Sequence, residues 1–339
     1  MMYKSRKQKW KVVVFFLTIL LALLFIASLS FGASFISPVA IFNSVLSSTP
    51  GQYDLILFEF RLPRIVLAIL IGIGMAVSGA ILQSATQNGL ADPGILGINS
   101  GAGFAVILFI FFSQGIRFES ELLQLFILPI FALCGALLAA FLIYIFSWKK
   151  SSGVTPIRLI LVGIGINAAF SALIIILQLK MDPRSFTQAT VWLSGNISGV
   201  SWSYTYALLP WLIVLLPIVL FKARYLNVLT LGDAMSTGLG VNVNRQRKWL
   251  LILAVGLAGS CVAVGGGISF LGLVAPQLAK KLVGPRNEIL LPVSALVGAV
   301  LLLFSDLVSR TILAPSEIPI GLVVSAIGAP YFIYLLIKS

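Results

Sequence analysis

The sequence has no histidine, only two cysteines and few acidic residues, and each shortage excludes a kind of site. Without histidine the chain lacks the commonest metal ligand and the usual general base near neutral pH. Cys134 and Cys261 both lie within apolar runs, so neither a disulfide framework nor a thiolate metal site is indicated. A phosphate loop of the form Gly-x4-Gly-Lys-Ser/Thr is also missing. We therefore expect no cofactor site, no catalytic constellation and no ATP binding by this chain alone.

Hydrophobic residues make up 59% of the chain and charged residues only 10%, and the mean hydropathy is +1.09. A soluble domain of this length is far less apolar, so the composition predicts a polytopic membrane protein. The net charge of +13 would indicate nucleic acid in a soluble protein. Here the cations flank apolar runs, where they set orientation in the membrane, and nucleic-acid binding is not expected.

Uncharged stretches near 20 residues predict an all-α fold with about ten transmembrane helices, in a single transmembrane domain covering 1–339. Most of the 23 Lys and Arg residues then lie in cytoplasmic segments, with both termini inside. The basic N-terminus imitates a signal peptide, but its apolar run is longer than the core of a cleaved signal, so it is predicted to be the first span. The predicted spans are 12–31, 64–86, 95–112, 122–146, 157–179, 206–222, 249–265, 268–282, 290–308 and 319–337.

The loop of about 222–248 is basic and is predicted to contain a short helix of its own. Asp233 can N-cap a turn that runs to Thr237, and Gly238 and Gly240 can end it in left-handed conformations. Its flanking cations place the loop in the cytoplasm. A structured loop on one face of a membrane protein is expected to contact another protein. By the same reasoning, Asp92 and Pro93 are expected to be the N-cap and first turn of the third span.

Polar residues inside the predicted spans have two possible roles, and the sequence leaves both open. They can line a passage or form hydrogen bonds between helices, and they are Ser78, Gln83, Asn99, Asn167 and Gln178. Small residues at four-residue spacing, such as Gly72 and Ala76, predict close helix packing. The acidic residues lie at span ends, so no midplane group is available for coupling to an ion gradient. A stand-alone secondary carrier is therefore disfavoured.

Seven motifs in order resemble the iron-siderophore and cobalamin permeases of bacterial ABC importers over nearly the whole chain. The motifs are Arg61-Leu-Pro-Arg64, Ser78-Gly79 with Gln83, Asn88-Gly-Leu-Ala-Asp-Pro93 with Leu96-Gly97, Leu231-Gly-Asp233 with Leu239-Gly240, Gly267-Ile-Ser-Phe-Leu-Gly-Leu273 before Ala275-Pro276, Asp306 with Arg310, and Glu317-Ile-Pro-Ile-Gly321 leading to Gly328-Ala-Pro330. The likeness is closest to ferric-siderophore permeases. The chain departs from the family pattern at Gly89, where proline is usual, and at Gln277 and Lys280, where histidine and arginine are usual.

The resemblance implies a permease with ten helices per subunit that moves a ferric siderophore, or alternatively cobalamin or haem. Its implied partners are a second permease subunit, two separate ATPase subunits and an external substrate-binding protein, within membrane lipid. It further implies that the ATPase contacts the cytoplasmic loop through Gly232, Asp233, Ala234, Met235, Ser236, Thr237, Gly238, Leu239 and Gly240.

Arg61, Arg64 and Arg310 stand on the outer side in this topology, against the positive-inside rule. The resemblance implies that they form an exposed docking site for acidic side chains of the binding protein. Two alternatives remain, which are snorkelling to lipid headgroups and an Asp306–Arg310 pair one helical turn apart.

Overall fold

The computed structural model describes residues 2–32, 34–46, 53–113, 121–150 and 153–338. This part of the chain is almost entirely helical, as predicted. Its elements are α1 Met2–Ser30, α2 Pro38–Leu46, a π-helical segment Leu55–Arg61 that continues into α3 Leu62–Thr86, α4 Ile98–Phe112, α5 Glu121–Ser147, the antiparallel strands β1 Trp148–Lys149 and β2 Gly153–Val154, α6 Pro156–Gln178, α7 Pro183–Leu193, α8 Trp202–Leu229, α9 Asp233–Gly238, α10 Val243–Gly265, α11 Leu271–Val283, α12 Asn287–Thr311 and α13 Ile320–Lys338.

A helix occupies each of the ten predicted spans. Seven helices in the described residues are long and apolar enough to cross a membrane, and α4 and α13 are shorter apolar helices. The remaining predicted span is α11, which has 13 residues and ends on Lys280 and Lys281. The prediction of a polytopic all-α membrane protein is confirmed. The number of spans and the side on which the termini lie stay predictions.

Local sequence explains where several helices begin. Pro156 and Pro183 occupy the first turns of α6 and α7, where no intrahelical N–H donor is needed. Asp182 N-caps α7 by accepting hydrogen bonds from the backbone N–H groups of Arg184 and Ser185, at 2.9 and 3.1 Å. Asn242 caps α10 by accepting from Arg245 N–H at 3.0 Å.

The structure corrects two boundaries that the sequence predicted. Because α8 continues to Leu229 and α10 begins at Val243, the loop that is predicted to be cytoplasmic covers 230–242 rather than 222–248. The apolar-run criterion ended both helices at their cations, but a helix can continue past the bilayer where its backbone is still hydrogen-bonded. Asp92 does not cap α4, because Gly97 occupies the N-cap position. Its carboxylate instead accepts from Gly94 N–H at 2.8 Å in the preceding turn.

The long helix α3 lies at the centre of the bundle and packs against α10, α11 and α12. Small residues permit this packing, as the spacing predicted. A Cβ on Gly72 would lie 2.6 Å from the carbonyl oxygen of Gly298 on α12. A Cβ on Gly79 would overlap the backbone carbonyl of Gly272 on α11. The helix backbones are therefore in direct contact at both crossings.

We expect Gly79→Ala to destabilise the protein by about 1–3 kcal/mol, because the added methyl group meets backbone that cannot rotate away. Gly165→Ala is the matched control on another apolar helix, since a Cβ there has no neighbour within 4 Å. The measurement is the melting temperature of the purified chain in detergent. A Gly79→Ala variant that melts with the Gly165→Ala control would contradict the direct backbone contact.

Candidate functional site

The short helix α9 is the only helix between α8 and α10, and it begins after Gly232, whose φ is +98°. Ser236 is buried on its inner side, and its hydroxyl donates to the carbonyls of Val228 and Gly232 at 2.8 and 2.7 Å. These bonds hold α9 against the end of α8. The short helix that the sequence predicts at Asp233 is confirmed.

Two details of this helix differ from prediction. Asp233 is the first helical residue rather than the N-cap, and its carboxylate pairs with Arg247 at 2.6 Å instead of capping the backbone. Gly240 is left-handed, with a φ of +79°, but Gly238 is the last residue of the helix itself. One glycine therefore suffices to end the helix.

An apolar face of α9 is exposed, which the sequence reading missed. Leu231, Met235 and Leu239 are 56, 65 and 64% exposed. Leu239 N–H bonds to Met235 carbonyl, so these two side chains lie one helical turn apart, and Leu231 precedes the helix. The signal was visible as three large apolar residues in a loop otherwise made of small and polar ones.

Four charged side chains form a compact group at the N-terminal end of α3, which we call the outer cluster: Arg64, Asp306, Arg310 and Glu317. Arg64 Nε lies 2.7 Å from Asp306 Oδ1, and its Nη1 lies 2.8 Å from Glu317 Oε2. Arg310 Nη2 lies 3.1 Å from Asp306 Oδ2. The cluster joins α3 and α12 to the segment before α13.

Glu317 connects the outer cluster to the loop after α7, because the hydroxyl of Ser198 donates to its Oε2. Partial burial alone would raise the pKa of Glu317. The hydrogen bond from Ser198 and the positive charge of Arg64 outweigh that effect, so the pKa lies below its ordinary value. Glu317 therefore stays ionised at neutral pH.

The expectation that Arg61, Arg64 and Arg310 are exposed is wrong, since they are 6, 7 and 6% exposed. Arg61 and Arg64 bond to different residues. Its guanidinium donates to the carbonyls of Leu29, Ser30 and Ser34 at the end of α1. The Asp306–Arg310 pair is the alternative that the geometry favours, and docking by these arginines stays a prediction.

Three of the five polar span residues bond to another part of the bundle: Ser78 and Gln83 bond to other helices, and Asn99 bonds to the segment between α10 and α11. Ser78 donates to Ala254 carbonyl at 2.7 Å, and Asn99 donates to Ile268 carbonyl at 2.9 Å. Gln83 donates to Gly272 and Leu273 carbonyls, both at 3.2 Å. For Ser78 the interhelical role is supported over pathway lining, and Asn99 likewise bonds within the bundle. Gln83 has both features, because it also lines a cavity of about 180 Å³.

Gln178 lines a separate open cavity, and Asn167 is half-buried on α6 beside Gly97. The cavity has a volume of about 440 Å³ and lies among α6, α7, α13 and the segment before α11. Its polar lining consists of Gln178, Thr190, Ser194, Ser269 and Ser325. None of its described lining residues is charged.

The two positions where the chain departs most from the family pattern touch each other. Gln277 Nε2 donates to Gly89 carbonyl at 2.7 Å and to Gln83 Oε1 at 3.1 Å. A Cβ on Gly89 would lie 2.5 Å from Gln277 Nε2. The departure at one position therefore makes room for the side chain at the other.

Comparisons with known proteins agree over almost the whole chain. The chain is 54% identical over 99% of both sequences to the iron(3+)-hydroxamate import system permease protein FhuG of Bacillus subtilis. It is 38% identical to the hemin transport system permease protein HmuU of Yersinia pestis, over 96% of this chain and 95% of the relative. A solved structure of an inward-facing metal-chelate type ABC transporter matches with a TM-score of 0.83 and 32% identity, covering 97% of this chain and 99% of that one.

The family model of the FecCD transport family matches residues 20–338. The helices, the motifs and these relatives indicate a multi-pass protein of the bacterial cytoplasmic membrane. The chain belongs to the FecCD transport family.

Proposed function

We propose that this chain is the permease subunit of an ATP-driven importer that moves a ferric siderophore of the hydroxamate class across the cytoplasmic membrane. The observation that carries the proposal is 54% identity to an iron(3+)-hydroxamate permease over 99% of both chains. Identity to the hemin permease is lower, at 38%. Haem and cobalamin are therefore the weaker alternatives.

The cavity supports a cargo that is polar but carries little charge. In a ferric trishydroxamate the three hydroxamate anions balance the charge of Fe³⁺, and the oxygens around the metal accept hydrogen bonds. In the structure the hydroxyls of Thr190 and Ser194 donate to the carbonyls of Phe186 and Thr190. The groups of the lining that can donate to such oxygens are therefore the hydroxyls of Ser269 and Ser325 and the amide of Gln178. A charged lining would instead favour a charged chelate.

The importer is proposed to contain two permease subunits, two ATPase subunits and an external binding protein. The missing phosphate loop assigns ATP hydrolysis to separate subunits. Small residues on the exposed face of α6, at Gly165, Ala168 and Ala172, support a second permease subunit beside this helix. Lipid contact needs no small residues, whereas close helix packing does.

We expect the complex in proteoliposomes to take up a ferric trihydroxamate when ATP is supplied, and not haem or cobalamin. Thr190→Glu should lower this uptake about tenfold or more, because it introduces a charge that the entering cargo would desolvate. Thr187→Glu is the control, since Thr187 is an exposed residue of the same helix, α7, that does not line the cavity. The assay measures accumulated iron and ATP hydrolysis.

Uptake of haem or cobalamin in place of the hydroxamate would contradict the proposed cargo. ATP hydrolysis by the purified chain without its partners would contradict the proposal that separate subunits hydrolyse ATP. Equal uptake by the Thr190→Glu and Thr187→Glu variants would show that the cavity does not lie on the transport pathway.

The apolar face of α9 is proposed to be the surface that contacts the ATPase. It lies in the loop that the distribution of cations assigns to the cytoplasm. Met235 is central in this face and 65% exposed, so a partner would bury it. A helix of six residues needs such a contact to be stabilised on its outer side.

We expect Met235→Glu to weaken association with the ATPase subunits by about tenfold or more, because a carboxylate would be buried in an apolar contact. Thr230→Glu is the control, since Thr230 is also exposed but lies before the residues that are expected to contact the ATPase. The measurement is co-purification of the ATPase at increasing dilution. Equal losses in the two variants would show that the apolar face is not the contact.

The outer cluster is proposed to fix the outer ends of α1, α3 and α12. An acidic side chain of a binding protein could reach Arg64 only by displacing Asp306 or Glu317. Asp306 is fully buried and pairs with Arg310. Removing the charge of Asp306 would therefore leave the buried Arg310 without this partner. Buried charges that lose a partner are strongly destabilising.

We expect Asp306→Asn to destabilise the protein by about 3–5 kcal/mol and the double variant Asp306→Asn/Arg310→Gln to recover part of that loss. Arg184→Gln, at an exposed arginine of α7, is the control. Melting temperature and the association rate of the binding protein are both measured. A slower association with unchanged melting temperature would favour direct docking.

A further inference from the structure

Arg247 is buried in the first turns of α10 and makes contacts that no motif of the sequence suggested. It is 2% exposed, although it belongs to a run of basic residues whose other members face solvent or lipid headgroups. Its guanidinium lies 2.6 Å from Asp233 Oδ1 through Nη2 and 3.1 Å from Asp233 Oδ2 through Nη1. The pair is therefore bidentate, which fixes the direction of Asp233 at the start of α9.

The same guanidinium also reaches two elements outside the loop. Nη1 donates to Val154 carbonyl at 2.8 Å, and Nε donates to Ala85 carbonyl at 3.3 Å. Val154 ends β2, immediately before α6 begins at Pro156, and Ala85 lies in the last turn of α3. One side chain thus joins α9, the start of α6 and the end of α3.

Gln87 provides a second connection between α9 and α3. It follows α3 in a left-handed conformation, with a φ of +53°. Its Nε2 donates to Leu229 carbonyl at 2.9 Å and lies 3.5 Å from Asp233 Oδ1. Asp233 is consequently held from two sides, both of which lead to the end of α3.

We infer that Arg247 is a positioning residue that transmits displacement of α9 to the start of α6 and the end of α3. This inference rests on the proposed contact between α9 and the ATPase. Asp233 cannot move away from Arg247 without leaving a buried cation unpaired, so the two side chains move together. Arg247 cannot move without straining its hydrogen bonds to Val154 and Ala85. The helix α6 carries Gln178 into the cargo cavity, so the connection leads from the ATPase side to the cavity.

A lysine can retain the charge at this position but cannot retain the geometry. The guanidinium presents several N–H donors in a fixed planar fork, whereas an ammonium is a single point charge on a flexible stem. Arg247→Lys is therefore expected to keep one contact at a time and to lose the simultaneous link among the three elements. Asp233→Asn weakens the same link from the other side, at a residue whose side chain is 44% exposed.

The test uses the complete importer in proteoliposomes and measures iron taken up for each ATP hydrolysed. In Arg247→Lys we expect this ratio to fall about tenfold while ATP hydrolysis continues, within the usual range of coupling between two sites. Asp233→Asn should lower the ratio in the same direction. The double variant should be no worse than Arg247→Lys alone, because both changes break one link. Arg245→Gln, an exposed cation on the same helix, should leave the ratio unchanged.

A crosslink from Met235→Cys to the ATPase is recorded in every complex. An unchanged ratio in crosslinked Arg247→Lys and Asp233→Asn complexes would overturn the inference and leave Arg247 as a folding contact only. Additive losses in the double variant would also overturn it. If Arg247→Lys does not assemble, the same ratio is measured in Asp233→Asn and in the double variant Asp233→Asn/Gln87→Ala. An unchanged ratio in both would overturn the inference. Absence of the crosslink in the otherwise unsubstituted complex would instead contradict the proposed role of α9.

Discussion

The close approach of α3 to α11 and α12 is the constraint on which the other features depend. Glycines at 72, 79, 272 and 298 bring backbone against backbone at the two crossings. In lipid, apolar side chains provide little drive for helix association, so close packing of small residues must provide it. A helix held in this way has few alternative positions. The groups at its two ends are therefore fixed relative to each other across about 37 Å, the length of 25 helical residues.

The two ends of α3 carry different kinds of charged contact. At its N-terminal end, Arg64 belongs to a group in which carboxylates compensate the cations and Glu317 reaches Ser198. At its C-terminal end, Arg247 uses main-chain carbonyls as well as a carboxylate. A hydrogen bond to a main-chain carbonyl depends on the position of the backbone itself. Movement of that helix or strand therefore changes the bond directly. The outer cluster is suited to holding helix ends together. The contacts of Arg247 are suited to transmitting the movement of one element to another.

The sequence predicted the features that depend on local patterns. The lengths of apolar runs located the spans, and the small-residue spacing located the packed face of α3. Arg247 bonds to residues 162 and 93 positions away, and the partners of Arg64 are 242 and 253 positions away. No local pattern contains such pairings, so buried arginines were mistaken for exposed ones. The sequence also predicted a short helix at Asp233, but the exposure of Leu231, Met235 and Leu239 was known only from the structure.

Burial divides the described spans into a fixed part and an exposed part. The apolar windows of the span that contains α3 and of α10 are 78 and 72% buried, whereas those of α6 and α8 are each 22% buried. The hydrogen bonds of Ser78 and Gln83 to other helices, and of Asn99 to the segment before α11, strengthen the fixed part, and Gln178 on α6 faces the cavity. The exposed faces of α6 include the face proposed to contact the second permease subunit, so in the importer α6 would lie between that subunit and the packed α3 region, beside the cavity. Movement of cargo is therefore expected beside α6, with the α3 region as the support against which α6 moves.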